Sequence, residues 1–238
     1  MSQLALDFNR GGEPLPEWGP GWDDPIKPEG DPRQTVKDIV RVIEGSYQYF
    51  GGWGDSLERV LDVTLHALKG EEEEYVQAAK KMDKRALEAA CQVFALLLEG
   101  FCIRYNIWDY LGEVYMELGS RSKHQAFGQF FTPMNVTEMM AAMQLGDVRE
   151  SIEGARKEGR RISVMDPTCG SGAMLLGAKR RIVGEVGLDG LRWFEFYGID
   201  IDPVCVKMCQ VQMIMTDFRY MTDWLIVKGF EVSQRARA

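Results

Sequence analysis

Between Gln34 and Leu118 the chain has no proline, and its apolar residues recur at intervals of three and four: Val36, Ile39, Val40, Ile43; Leu57, Val60, Leu61, Leu65, Leu68; Leu87, Cys91, Phe94, Leu98. That spacing is helical, and it predicts an all-helical region in which each helix buries one stripe. Gly51, Gly52 and Gly54 separate the first helix from the second. A turn near Lys69-Gly70 precedes Glu71 to Glu74, acids that suit a helix N-terminus. After Pro133 the pattern changes. It predicts a helix over 136–145, a strand over 161–166, a helix over 171–186, a strand over 193–200 and a helix over 204–218. Strand, helix and strand with short connections imply parallel strands joined by a crossover, hence an α/β layer architecture. Residues 11–32 hold six of the nine prolines, so neither a helix nor a sheet interior is expected there. The chain thus divides into an extended or disordered arm (1–32), a helical region (33–120) and an α/β region (121–238). Trp18 and Trp22 in the arm suit docking on the body or a partner, or simple tethering of the tail.

The bulk composition narrows the classes. With 238 residues and 45% hydrophobic content, a real core can form. No stretch is expected to supply the roughly 20 apolar residues that cross a bilayer, and the N-terminus lacks the pattern of a secretory signal, so the expected location is the cytoplasm. Five scattered cysteines without a CxxC, and two histidines without an HExxH, argue for reduced structural thiols and against a metal centre. The net charge of −8 disfavours a protein that coats nucleic acid by electrostatics alone. Much of it sits in the arm, however, where seven acids face two bases. Arg156, Lys157, Arg160 and Arg161, and then Lys179, Arg180 and Arg181, could be a basic patch or ordinary solvated faces.

The candidate chemistry lies where the first predicted strand turns into a helix, at Asp166-Pro-Thr-Cys-Gly-Ser-Gly-Ala-Met-Leu175. Gly170 and Gly172 let backbone N–H groups approach a ligand, and the helix N-terminus favours an anionic group. No Gly-Lys-Ser/Thr follows, which excludes a phosphate loop, and Leu175 stands where a dinucleotide fingerprint needs its third glycine. The second strand ends in Gly198-Ile-Asp-Ile-Asp-Pro203. Asp200 there could accept both ribose hydroxyls of an adenosine-containing cofactor, and Ile201 could face the adenine. Asp202 before Pro203 reads as a helix cap.

Upstream stands Phe127-Gly-Gln-Phe-Phe-Thr-Pro133, and at this point a resemblance becomes specific. FGQFFTP, DPTCGSGAML and GIDIDP resemble the three cofactor motifs of N6-adenine DNA methyltransferases, in the permuted order that puts Phe-Thr-Pro first. The run Trp108 to Leu118 resembles the helix that precedes Phe-Thr-Pro in type I restriction-modification modification subunits, so the likeness covers roughly residues 34 to 220. It implies a partial Rossmann-like domain that binds S-adenosylmethionine. Gln129, Phe131, Thr132 and Pro133 would hold the methionine end, with Asp166, Thr168, Gly170, Ser171, Gly172 and Ala173 in the same pocket. Asp200 and Ile201 would take the adenosine, and Cys169 would be a packing residue.

The family's Asn/Asp-Pro-Pro-aromatic motif, which orients the target amine and holds the flipped base, has no counterpart, because the sequence contains no Pro-Pro. No catalytic residue is therefore assigned, and the chain alone is expected to be inactive. One reading makes it the cofactor-binding portion of a methyltransferase whose second chain, a catalytic or specificity subunit or another copy of itself, completes the site and brings the DNA. The other makes it a non-catalytic, modification-subunit-like protein that modulates or blocks a restriction-modification system. The resemblance also puts strand 161–166 at the centre of the sheet, with an edge that the helical region or a second polypeptide must cover.

Overall fold

The computed structural model describes residues 2–6, 25, 27–50, 53–121 and 132–217. Its helical part comprises α1 (Pro32–Phe50), α2 (Trp53–Lys69), α3 (Glu72–Lys80), α4 (Lys84–Leu98) and α5 (Tyr110–Arg121). Proline occupies the first position of α1, and the amide of Arg33 donates to Asp31 Oδ1 at 3.0 Å. Gly70, at φ +68°, turns the chain from α2 into α3, whose first turn carries Glu72, Glu73 and Glu74. The expected stripes of α1 and α2 are buried from Val36 to Ile43 and from Leu57 to Leu65.

On α4 the buried face differs from the one that the large residues mark. Ala86, Ala89, Ala90, Val93 and Leu97 are inside, Cys91 is exposed, and Phe94 and Leu98 lie at the margin. Small alanines let α1 pack closely, which displaces the bulky residues to the flanks. Asp83 caps this helix, accepting from the amide of Ala86 at 2.8 Å. Helix α4 continues into a π-helical turn, Glu99–Ile103. Lys84–Ile103 is, by length and composition, apolar enough to span a bilayer, contrary to the expectation from the sequence; here its buried face lies in the protein core.

The α/β part contains α6 (Met134–Leu145), α7 (Val148–Glu158), β2 (Ile162–Asp166), α8 (Ala173–Val186), a 3-10 turn (Leu188–Trp193), β3 (Phe194–Asp200) and α9 (203–217). β2 and β3 are parallel, in register from Ile162 opposite Phe194 to Asp166 opposite Gly198. Helix α7 is not among the predicted elements. Its sequence is mostly polar, with a short stripe that buries Val148 and Ala155; Asp147 caps it by accepting from the Glu150 amide, and Gly159 ends it at φ +63°.

Two expectations about the sheet need correction. Ser2–Leu6, inside the supposed arm, is a strand, β1, which pairs antiparallel with β3 from Ser2 opposite Asp200 to Leu6 opposite Phe196. The order is β1-β3-β2, so β3 rather than β2 is the middle strand among the described residues. Strand order depends on long-range pairing that no local pattern encodes. One sheet face, with Phe194 and Phe196, is buried beneath α8, while Ser163 and Met165 on the other face are exposed. Trp18 and Trp22 lie outside the described residues.

Helical and α/β parts share one apolar cluster that runs from Val36 through Leu111 and Leu176 to Met215. Lys207 on α9 pairs with Glu58 at 2.9 Å and Asp62 at 2.7 Å on α2, clamping the parts from outside the core.

Candidate cofactor site

The turn from β2 to α8 is held by its own backbone and by the end of β3. Asp166 Oδ1 accepts from the Thr168 amide at 3.0 Å, and the amide of Cys169 donates to the carbonyl of Ile199 at 2.9 Å. The amide of Gly170 then donates to Asp200 Oδ2 at 2.8 Å. Gly172 closes the turn by donating to the carbonyl of Cys169 at 2.7 Å. Its φ of +98° and a built Cβ only 3.0 Å from Cys209 Sγ leave room for glycine alone. Cys169 is buried against Gly198, the packing role expected of it.

Asp200 thus bridges two loops. Its Oδ1 accepts from the Asp202 amide at 2.9 Å, and Asp202 Oδ1 accepts from the Val204 amide at 2.9 Å, the helix cap expected from the Asp-Pro pair. Ile201, between the two acids, is 89% exposed. The carboxylate of Asp200 keeps lone pairs beyond those two bonds, so it can accept further donors from a ligand.

Thr132 and Pro133 reach the same corner by a different route. Thr137 on α6 lies against Gly177, where a Cβ would come within 2.7 Å of its side chain. Further along, Arg181 donates to the carbonyl of Gly146 at 3.3 Å and Glu185 Oε2 accepts from the Val148 amide at 3.3 Å. The two helices therefore run parallel, and their amino ends, at Pro133 and Gly172, open on the same side. The positive ends of both helix dipoles lie on that side. Gln129 and Phe131 lie outside the described residues.

Ser171 faces the other way. It is fully buried, and its hydroxyl donates to Asp109 Oδ2 at 2.6 Å. Asp109 Oδ1 accepts from Gln212 Nε2 at 2.7 Å and from the amide of Gly112 at 3.0 Å, capping α5. Gln212 also donates to the carbonyl of Ser171 at 2.9 Å and accepts from the amide of Leu111 at 3.0 Å. Burial pushes the Asp109 carboxyl above the usual carboxylate range, opposed by the hydrogen bonds from Gln212, Ser171 and Gly112. Sequence reasoning placed Asp109 only in a lead-in helix. An aspartate immediately before a helical run was the available signal, but its partner sits 62 residues away.

Six of the seven candidate basic residues are engaged with other side chains or buried, and Lys157 is exposed. Arg156 lies over the Trp193 ring, Arg160 pairs with Glu158, and Arg161 faces Glu195 at 3.8 Å. Arg180 pairs with Glu138 at 2.6 Å and Arg181 with Glu185, while Lys179 is buried. A shallow cleft of about 400 Å³ lined by Ala142, Gly146, Arg149 and Arg181 lies at the far, carboxyl ends of α6 and α8, away from the glycine turn. Among the described residues no group of histidines, cysteines and acids could hold a metal ion.

A parallel strand-helix-strand unit with a glycine turn tied to an acidic strand end has the organisation expected of a cofactor-binding α/β protein. The sequence matches the family N-6 DNA Methylase over residues 106–229, more than half of the chain, and the chain belongs to that family. It is similar to the type I restriction enzyme MpnII methylase subunit of Mycoplasma pneumoniae, 24% identical over 118 residues, which are 48% of this chain and 19% of that protein. The likeness spans about a fifth of that relative's length. No solved structure matches.

Proposed function

We propose that this chain binds S-adenosylmethionine as the cofactor-binding portion of an N6-adenine DNA methyltransferase of the type I modification-subunit kind, in a partial Rossmann-like domain. The observation that carries this reading is the bond from the Gly170 amide to the Asp200 carboxylate, which ties the glycine turn to the adjacent parallel strand end. The residues fit such a group. Asp200 would accept the ribose hydroxyls, the exposed Ile201 would lie against the adenine, and the helix ends at Pro133 and Gly172 would face the methionine carboxylate. Thr132, Asp166, Thr168, Gly170 and Ala173 would line the rest, with Gln129 and Phe131 closing the methionine side. Ser171 would contribute its backbone, since its hydroxyl is committed to Asp109. The bound cofactor would supply an electrophilic methyl group; this chain's residues bind and orient.

Titration calorimetry with S-adenosylmethionine or its demethylated product tests the reading. Asp200→Ala should weaken binding by roughly 1.5 to 3 kcal/mol, the range for hydrogen bonds to a charged acceptor, and NADH should not compete. Equal affinity in the variant would remove Asp200 from the site. The purified chain should transfer no methyl group to DNA, because no Pro-Pro-aromatic loop is present to grip the amine. Tritiated adenine formed with this chain as sole protein would overturn that expectation. In this reading a second chain, a catalytic or specificity subunit or another copy, takes part in completing the site, and DNA is engaged through that assembly in the cytoplasm.

A further inference from the structure

The carboxylate of Asp109 is buried, and three hydrogen-bond donors from separate segments converge on it. Gly112 is the amide donor from α5, Ser171 the hydroxyl donor from the glycine turn, and Gln212 the amide donor from α9. Gln212 then returns to the turn by donating to the carbonyl of Ser171. Both the side chain and the backbone of Ser171 are thus fixed from behind. The fit admits no slack, since a Cβ on Gly112 would stand 2.1 Å from Asp109 Oδ2 and 2.5 Å from Ser171 Oγ.

We infer that Asp109 is a positioning residue for the cofactor, acting through Ser171 to hold the glycine turn in its binding-competent shape and making affinity depend on how the helical region is seated. This rests on the cofactor reading above. The other restraints on the turn come from its own backbone and from the end of β3, through Cys169 and Gly170, and none of them holds Ser171 from the helical side. Gly170 and Gly172 both lie at positive φ, which lets the backbone reach this shape but does not by itself hold it there. The amides of residues 168, 169, 170 and 172 donate within the turn or to the end of β3, and Ser171 is the residue fixed from the opposite side, by Asp109 and Gln212. A helix cap that only stabilised α5 would need the Gly112 contact alone; the bond to Ser171 is surplus to capping.

Asp109→Asn separates the two roles, because the amide oxygen can still accept from Gly112 while the NH2 group can only donate toward Ser171, so the charge-assisted bond from the Ser171 hydroxyl gives way to a reversed, neutral and weaker one. Three proteins, D109N, S171A and the double variant, are compared with wild type by calorimetry with S-adenosylhomocysteine and by hydrogen exchange. Each single variant should bind about tenfold more weakly, and the double variant no more weakly than either single one, because the same charge-assisted bond is lost in all three. Exchange at the amides of residues 168–172 should quicken, while those within α5 and α8 stay as in wild type. Unchanged binding and exchange in D109N would overturn the inference, as would losses that multiply in the double variant. Should D109N fail to fold, S171A, which leaves the cap of α5 intact, decides alone by the same two readouts. A wild type that binds no S-adenosylhomocysteine would overturn the cofactor reading instead, and the exchange at residues 168–172 would then settle whether Asp109 positions the turn.

Discussion

Gly112 and Gly184 are both helical glycines, and their surroundings give the same substitution opposite signs. At Gly112 an added methyl group meets Asp109 and Ser171 well inside contact distance, with no flexible side-chain end to yield. Gly112→Ala should cost about 1 to 3 kcal/mol, the usual range for overpacking a tight site. Around Gly184, exposed in the last turn of α8, nothing lies within 4 Å. Gly184→Ala should stabilise by about 0.5 to 1 kcal/mol through helix propensity. Urea denaturation of both variants measures the contrast, and a Gly112→Ala protein as stable as wild type would mean the Asp109 network is looser than it looks. Residues of this kind set the limit of what the sequence discloses. Gly170 and Gly172 were legible because the strand-turn-helix signal is local, and Asp200 because it ends a strand before a helix, although its bond to the turn spans 30 residues. Asp109 and Gln212 were not, since their meaning lies in contacts with Ser171 made across 62 and 41 residues of chain.

At the scale of elements, α8 and α9 are joined by a buried ion pair. Lys179 Nζ lies 2.6 Å from both oxygens of Asp217, 2.9 Å from Thr216 Oγ1 and 3.2 Å from the carbonyl of Met213, beside the Phe196 ring. Burial lowers the pKa of Lys179 and raises that of Asp217, each held back by the opposite charge of the other. Removing one member should therefore hurt more than removing both. Lys179→Met leaves Asp217 buried without its partner and should cost about 3 to 5 kcal/mol, whereas the Lys179→Met/Asp217→Leu double variant should recover a large part of that loss. Thermal melts of the three proteins test this, and a double variant as unstable as the single one would show that Lys179 acts by packing rather than charge. The sequence offered Lys179-Arg-Arg181 as a basic run, but helical geometry separates the three side chains. Only the first points into the core. The same geometry explains α4, where the largest residues marked one stripe and the close approach of α1 selected its alanine neighbours.

For the whole molecule, the arm, helical region and α/β region read from composition do not correspond to three independent cores. The change of period near Pro133 locates where parallel strands begin, and that change is real. It carries no information on which helices pack against the strands. Helix α5, assigned to the helical region, buries Tyr110, Leu111, Val114 and Leu118, and its cap holds the glycine turn of the other part. Lys207 adds a link from α9 to α2. Because apolar contact and the polar network both cross the boundary, opening either part exposes core surface of the other, and the cost of opening is shared. We expect one cooperative unfolding transition. Helix content followed by far-ultraviolet circular dichroism should fall together with tertiary signals from the aromatic side chains, at one midpoint in urea. Exchange protection in α1 and α8 should vanish over the same range. An early loss of helix signal, with the environment of Phe194 and Phe196 intact, would show that the helical region melts by itself. In that case Asp109 could not transmit the seating of the helices to the turn, and the dependence of cofactor affinity on that seating would have to be abandoned.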